Sequence, residues 1–225
     1  MTSSPPLLIA QDESVRAVVL RGAGRAFMAG GDLHSLRADP EGGAAAMLVP
    51  LNAAAESLAH LNAPVIAQVH GAGTGAGMSL MMLADFVLVA EGTGLNLAYM
   101  KLGTCSDAGA SWALPRLVGL RAALEIALLC DDLSLQDALR LGLINRVLPK
   151  GEMEEAVLQL AQRLGKGPTL AMGHMRRLMR SSFERTLSAQ LVAEADAFGV
   201  CTRTEDMRRG IAAFFERREP QFLGC

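Results

Sequence analysis

Three short apolar runs constrain this chain more than any other feature: VRAVVL at 15–20, VIAQVH at 65–70 and FVLVAE at 86–91. Each is strand-length, rich in Val and Ile, and followed closely by glycine. Between the first two, residues 44–60 alternate Ala and Leu with polar positions at helical spacing and stop before Pro64. Between the second and third, MSLMMLAD at 78–85 reads as the opening of a buried helix. Strand, helix, strand, helix, strand is the order of an α/β protein with largely parallel strands.

The remaining segments extend this pattern. GGDLHSL begins a helix or irregular loop, and DPEGG at 39–43 is expected to break it. A further short strand is expected at 95–99, with helices at 108–117 and 119–129. SLQDALRL at 134–141 is a capped helix, with Ser134 at the N-cap, Asp137 at the box position and Gly142 ending it. INRVLP is a short strand stopped by Pro149. From Glu152 onward the sequence reads as four helices, so residues 1–150 are expected to form the α/β core and 151–225 a C-terminal helical arm.

Composition excludes several functions. Hydrophobic residues make up 51% of the 225, yet Tyr and Trp occur once each, so the core must be aliphatic. A net charge of −2 gives no case for nucleic acid. No run reaches the length of a membrane span. Four cysteines without a CxxC pair, and only four histidines, argue against a metal site. The chain reads as cytoplasmic with free thiols. Arginine is concentrated at Arg176, Arg177, Arg180 and Arg185, and again over 203–218. These could attract a phosphorylated small molecule or merely solvate a helix face.

HGAGTGAG follows the second strand. Gly71-x-Gly73-x-x-Ala76, with Glu91 ending the next strand, fits a dinucleotide fingerprint. Glycines let the backbone approach a ligand, and a helix N-terminus offers free N–H donors. Those donors suit a pyrophosphate, or equally an oxyanion. A tight turn without any ligand is the third reading. AFMAGGDL forms a second glycine-rich elbow after the neighbouring strand, and two elbows can aim two N–H groups at one oxygen.

Together RGAGRAFMAGGDL, HGAGTGAG, ADFVLVAE, KLG-x-x-x-D-AG-x-SW-x-LPRLVG and LSLQDALRLGLINRVLP resemble the crotonase family, the enoyl-CoA hydratases and isomerases, over roughly residues 12–222. The resemblance implies a crotonase-like ββα spiral core with a C-terminal helical region. It implies homo-trimers or dimers of trimers, and an acyl-CoA thioester as substrate, with no cofactor beyond that coenzyme A. It puts the oxyanion-hole N–H groups at Gly31 and Ala76, the second a departure from the family's usual Gly. Met28, Tyr99, Met100 and Trp112 become candidates for the substrate pocket. Arg25, Arg217 and Arg218 become candidates for the CoA phosphates.

The acids decide the expected chemistry. Family hydratases place two glutamates where this chain has Ser79 and Tyr99. A hydration needs a base to activate water and an acid to deliver a proton, and neither residue is a good base near neutral pH. Isomerases of the family resemble this chain in having an acid at the place of Asp107. One carboxylate suffices to move a proton from C2 of a 3-enoyl thioester to C4. The competing reading makes Asp107 the N-cap of a helix starting at Ala108. A nucleophilic Asp107, as in the related aroyl-CoA dehalogenases, is a minor alternative. Asp32 and Asp85 read as structural, and His70 as a structural hydrogen-bonding residue.

Relatives carry two strands and a helix before the stretch matching VRAVVL, whereas fourteen residues precede it here. SPPLLIAQDE, 4–13, resembles the tail of that helix, and an uncovered sheet edge is expected. Double-bond isomerisation of an enoyl-CoA is therefore the leading expectation. Hydration with unusual residues and an inactive acyl-CoA binder are the alternatives.

Overall fold

The computed structural model of the chain describes residue 9 and residues 12–225, so most of the helix tail expected at 4–13 lies outside the described residues. Four parallel strands form the main sheet: β1 (Val18–Arg21), β2 (Val65–Val69), β4 (Phe86–Ala90) and β6 (Arg146–Leu148), ordered β1-β2-β4-β6. Val18 pairs with Val65, Ile66 with Phe86 and Leu88 with Arg146. A second pair of parallel strands, β3 (Ala72–Thr74) and β5 (Gly94–Asn96), stands beside it. The architecture is a parallel α/β core followed by a helical C-terminal region, as the sequence pattern leads one to expect.

The unbroken apolar runs follow from burial on both faces. Ile66, Leu88 and Ala90 face Met153 and Val157 of helix α7 (Met153–Gly165). Ala67, Val69, Val87 and Val89 face the opposite way, onto Met78 and Met81 of α3 (Ala76–Met82) and onto Leu95 and Leu97.

Two glycine-rich segments carry more structure than a break or a turn. DPEGG does break the helix, at the extended Asp39, but a second helix starts at once. Asp39 caps α2 (Pro40–His60) by accepting from the Gly42 N–H, and Pro40 sits in the first turn, where its missing N–H costs nothing. Asp32 caps the preceding short helix α1 (Leu33–Ala38) in the same way. HGAGTGAG is not only a turn, because residues 72–74 pair with β5. The other expected helices are present: α4 (Ala110–Val118), α5 (Leu120–Leu129), α6 (Leu135–Arg140), α8 (Thr169–Ser181), α9 (Leu187–Cys201) and α10 (Glu205–Glu216). The Ser134 hydroxyl caps α6 by accepting from the Asp137 N–H at 3.0 Å.

Two of the clustered arginines turn inward instead of facing solvent or a phosphate. Arg176 is buried, with its Nε 2.6 Å from Asp85 Oδ2 in an ion pair that lacks hydrogen-bond alignment. Its terminal nitrogens donate to the Leu58, Leu61 and Ala63 carbonyls at and beyond the end of α2, where a helix dipole favours a cation. Arg180 donates to Asp85 Oδ1 at 2.9 Å and to the Leu83 carbonyl at 2.6 Å. Asp85 also accepts from the Val65 N–H at 2.7 Å. One carboxylate thus ties α8 to the start of β2 and the end of α3.

Removing one member of such a buried group strands the others without a counter-charge. Asp85→Ala is expected to lower stability by about 3–5 kcal/mol, read as a shift in the denaturant midpoint without a change in slope.

Candidate active site

The two glycine elbows meet behind the C-terminal ends of β1 and β2. The Met28 N–H donates to the Ala72 carbonyl and the Thr74 N–H to the Met28 carbonyl, both at 3.0 Å, so the first elbow is bonded backbone-to-backbone to β3. His70 Nε2 lies 3.1 Å from the Gly24 carbonyl and adds a side-chain link, the structural role expected of it. A Cβ on Gly77 would overlap the Met28 backbone, so glycine there is what lets α3 approach. Gly75 precedes α3 at φ 53° and ψ −125°, a conformation that only glycine adopts without strain.

A cavity of about 330 Å³ opens between the elbows. Gly30, Gly31, Gly75 and Ala76 are among its lining residues. Ala76 is the first residue of α3, whose opening N–H groups have no intrahelical partner. Neither the Gly31 nor the Ala76 N–H donates to an acceptor among the described residues. Asp32 holds the loop beside Gly31, accepting from the His34 N–H at 2.9 Å and the Ser35 hydroxyl at 2.6 Å. These bonds, the Ser35 hydroxyl's first, keep its carboxyl below the usual range.

Tyr99, Lys101, Cys105 and Asp107 also line the cavity. Asp107 is the single carboxylate among the lining residues. It does not cap a helix with its side chain. Ala108 and Gly109 are both left-handed, at φ 46° and 80°, which delays α4 to Ala110. Only the Asp107 backbone carbonyl bonds into that turn, accepting from the Ala110 N–H. The carboxylate instead accepts a 2.5 Å hydrogen bond from the Tyr99 hydroxyl, whose oxygen lies 2.8 Å from Ser79 Oγ. Tyr99 sits in the 3₁₀ turn Tyr99–Leu102, and its side chain is buried. Burial, and then the bond to Asp107, push its pKa well above the ordinary tyrosine value.

Gly31, Ala76, Tyr99 and Asp107 therefore converge on one cavity, as read from the sequence. Other candidates lie elsewhere. Met28 bridges to Gly73 through its backbone, packs its Cβ toward Gly77 and does not line the cavity. Met100 is exposed outside the cavity, because the 3₁₀ turn sends successive side chains in different directions. Trp112 projects from α4 into a separate groove, 4.2 Å under the Arg116 guanidinium, which pairs with Glu184 at 3.2 Å. Arg25 is exposed on the first elbow. Arg217 is the left-handed cap of α10, and Arg218 is paired with Glu216. None of these three lines the cavity. Leu33, Leu36, Met47 and Leu48 do, although the sequence reading did not name them. Their signal was the apolar spacing of the helices that follow the first elbow.

The chain matches the model of the enoyl-CoA hydratase/isomerase family over residues 7–224. It is 36% identical over 220 residues to a 1,2-epoxyphenylacetyl-CoA isomerase of Escherichia coli K12, covering 96% of this chain and 84% of that protein. It is 34% identical over 216 residues to a 2,3-dehydroadipyl-CoA hydratase of the same organism, covering 96% and 84%. A solved structure of an enoyl-CoA hydratase from Polaromonas sp. JS666 superposes with a TM-score of 0.90 at 32% identity, covering 96% of this chain and 86% of that one. Fold and sequence define a crotonase-type enzyme. The chain belongs to the enoyl-CoA hydratase/isomerase family, and that membership implies an acyl-CoA substrate.

Tyr99 is the chain's only tyrosine, so its ionisation can be followed alone. In the unfolded chain it should ionise near pH 10. In the native protein the tyrosinate absorbance should stay absent well past that point. A raised native pKa means that this contribution to stability is complete below about pH 10 and is lost as pH climbs toward the native value. Tyr99→Phe should accordingly flatten the alkaline fall in stability.

Proposed function

We propose that this enzyme shifts the double bond of an enoyl-CoA thioester, with Asp107 as the proton carrier. The observation that carries the proposal is the single carboxylate in a cavity that also holds two unspent backbone donors. The thioester oxygen is bound by the Gly31 and Ala76 N–H groups. Asp107 removes a proton from C2 of a 3-enoyl thioester, and the electron pair moves into the C2–C1 bond as the oxygen becomes an enolate. The donors stabilise that charge as it develops. The 3,4-double bond relays electrons to C4, Asp107 returns the proton there, and a 2,3-double bond remains. No atom is gained or lost.

Hydration would need a second acid or base to handle water. Ser79 and Tyr99 occupy the places where that chemistry would be sought. Tyr99 is kept protonated by burial and by its bond to Asp107. The acyl chain rests on Leu33, Leu36, Met47, Leu48 and Leu97, which line the cavity. No cofactor beyond the substrate's own CoA is required by this chemistry.

We further propose assembly as a trimer, or a dimer of trimers, through the 151–225 region. Leu187, Val192 and Phe198 of α9 and Phe214 and Phe215 of α10 are all exposed, an apolar surface of the kind that marks an interface. Among the described residues no helix is long and apolar enough to cross a membrane.

Asp107→Ala should reduce isomerisation of a 3-enoyl-CoA by about 10²–10⁴-fold while CoA binding survives. The check is to offer 3-enoyl-CoA and 2-enoyl-CoA to the parent and the variant and follow both products. Hydration of the 2-enoyl substrate at an undiminished rate in the variant would reject the assignment.

A further inference from the structure

We infer that Tyr99 is a positioning residue for Asp107, fixing one carboxylate oxygen so that the other faces the substrate. The inference rests on the reading of Asp107 as the proton carrier.

A tyrosine hydroxyl has one proton to give. Here it is aimed at Asp107 Oδ1 over 2.5 Å, the short distance of a bond to an ionised acceptor. Ser79 lies on the other side of the phenol oxygen at 2.8 Å, and it is completely buried. Because the phenol proton is committed to Asp107, the Ser79 proton goes to the phenol oxygen or to the Gly75 carbonyl, 3.2 Å away. The four groups form a string from Asp107 through Tyr99 and Ser79 to Gly75. Gly75 is the residue immediately before the Ala76 N–H. The string therefore links the proton carrier to one of the two oxyanion donors, across the 3₁₀ turn and α3.

A buried tyrosine also fills space, and phenylalanine would fill this space as well. What phenylalanine lacks is the bond. Without it the carboxylate can turn about its last side-chain torsion, and a smaller fraction of bound substrate meets it in reactive geometry. That loss falls on the chemical step and leaves substrate binding alone. Lys101 and Cys105 are the other ionisable side chains lining the cavity, and neither hydrogen-bonds Asp107 among the described residues. Among the described residues, Tyr99 is the one side chain that hydrogen-bonds that carboxylate.

The test compares the parent, Tyr99→Phe, Asp107→Asn and the double variant on a 3-enoyl-CoA. Tyr99→Phe should lower kcat by about tenfold with KM changed by less than about twofold, and it should have no further effect once Asp107 is already replaced. An unchanged kcat, or the same fold-loss in both backgrounds, overturns the inference. Ser79→Ala removes only the far link and should lower kcat by less than Tyr99→Phe, again at constant KM. It is the second probe should the phenylalanine variant fold poorly, and an unchanged kcat in it counts against the string. The tyrosine titration gives a readout that needs no substrate. In Asp107→Asn the single tyrosine should ionise at lower pH than in the parent, and an unmoved titration would mean the two groups do not interact. Full turnover by Asp107→Asn would instead reject the proton-carrier reading itself. Loss of turnover in that variant alone, with Tyr99→Phe active, would sink only the positioning role.

Discussion

The site depends on a pair of backbone hydrogen bonds. Met28 and the Ala72–Thr74 strand exchange N–H and carbonyl groups, which locks the loop after β1 against the loop after β2. That stitching is available only because β1 and β2 run parallel and in register, so both strands deliver their loops to the same edge. Glycine at position 77 then lets α3 close on Met28. Backbone donors placed this way cannot be lost by a side-chain rotation. The Ala76 methyl group therefore shapes the wall of the cavity and leaves the donor in place.

Around that frame the chain separates two electrostatic jobs. Asp85 is consumed by Arg176 and Arg180, and it holds α8 to the core. Among the described residues Asp107 pairs with no arginine and accepts from a neutral phenol, which leaves its carboxylate free for the proton-carrying role proposed for it. In space one acid is enclosed by cations and the other opens into a cavity.

Much of the fold was legible because its signals are local. The strands VIAQV and FVLVA announce burial on both faces, and Ser134 with Asp137 announces a helix start. What was missed depends on partners distant in sequence. Strand β3 hides inside a glycine turn because its pairing is with residues 94–96. The inward turn of Arg176 and Arg180 was visible only as i, i+4 spacing on one helix face, which needs Asp85 in place to acquire meaning. In the site, the elbows and Asp107 were readable from motifs with fixed spacing. Trp112 was not, because its direction depends on Arg116 and Glu184. The link between Tyr99 and Ser79 spans twenty residues and two elements, and no local pattern announces it.

The central claim is that one carboxylate and two backbone donors move a double bond without using water. The most direct test is the mass of the product formed from a 3-enoyl-CoA by the purified enzyme in oxygen-18 water. The account predicts a 2-enoyl-CoA of unchanged mass, with no solvent oxygen taken up before any separate hydratase is added. A 3-hydroxyacyl-CoA, heavier by one labelled water, as the first product would contradict it.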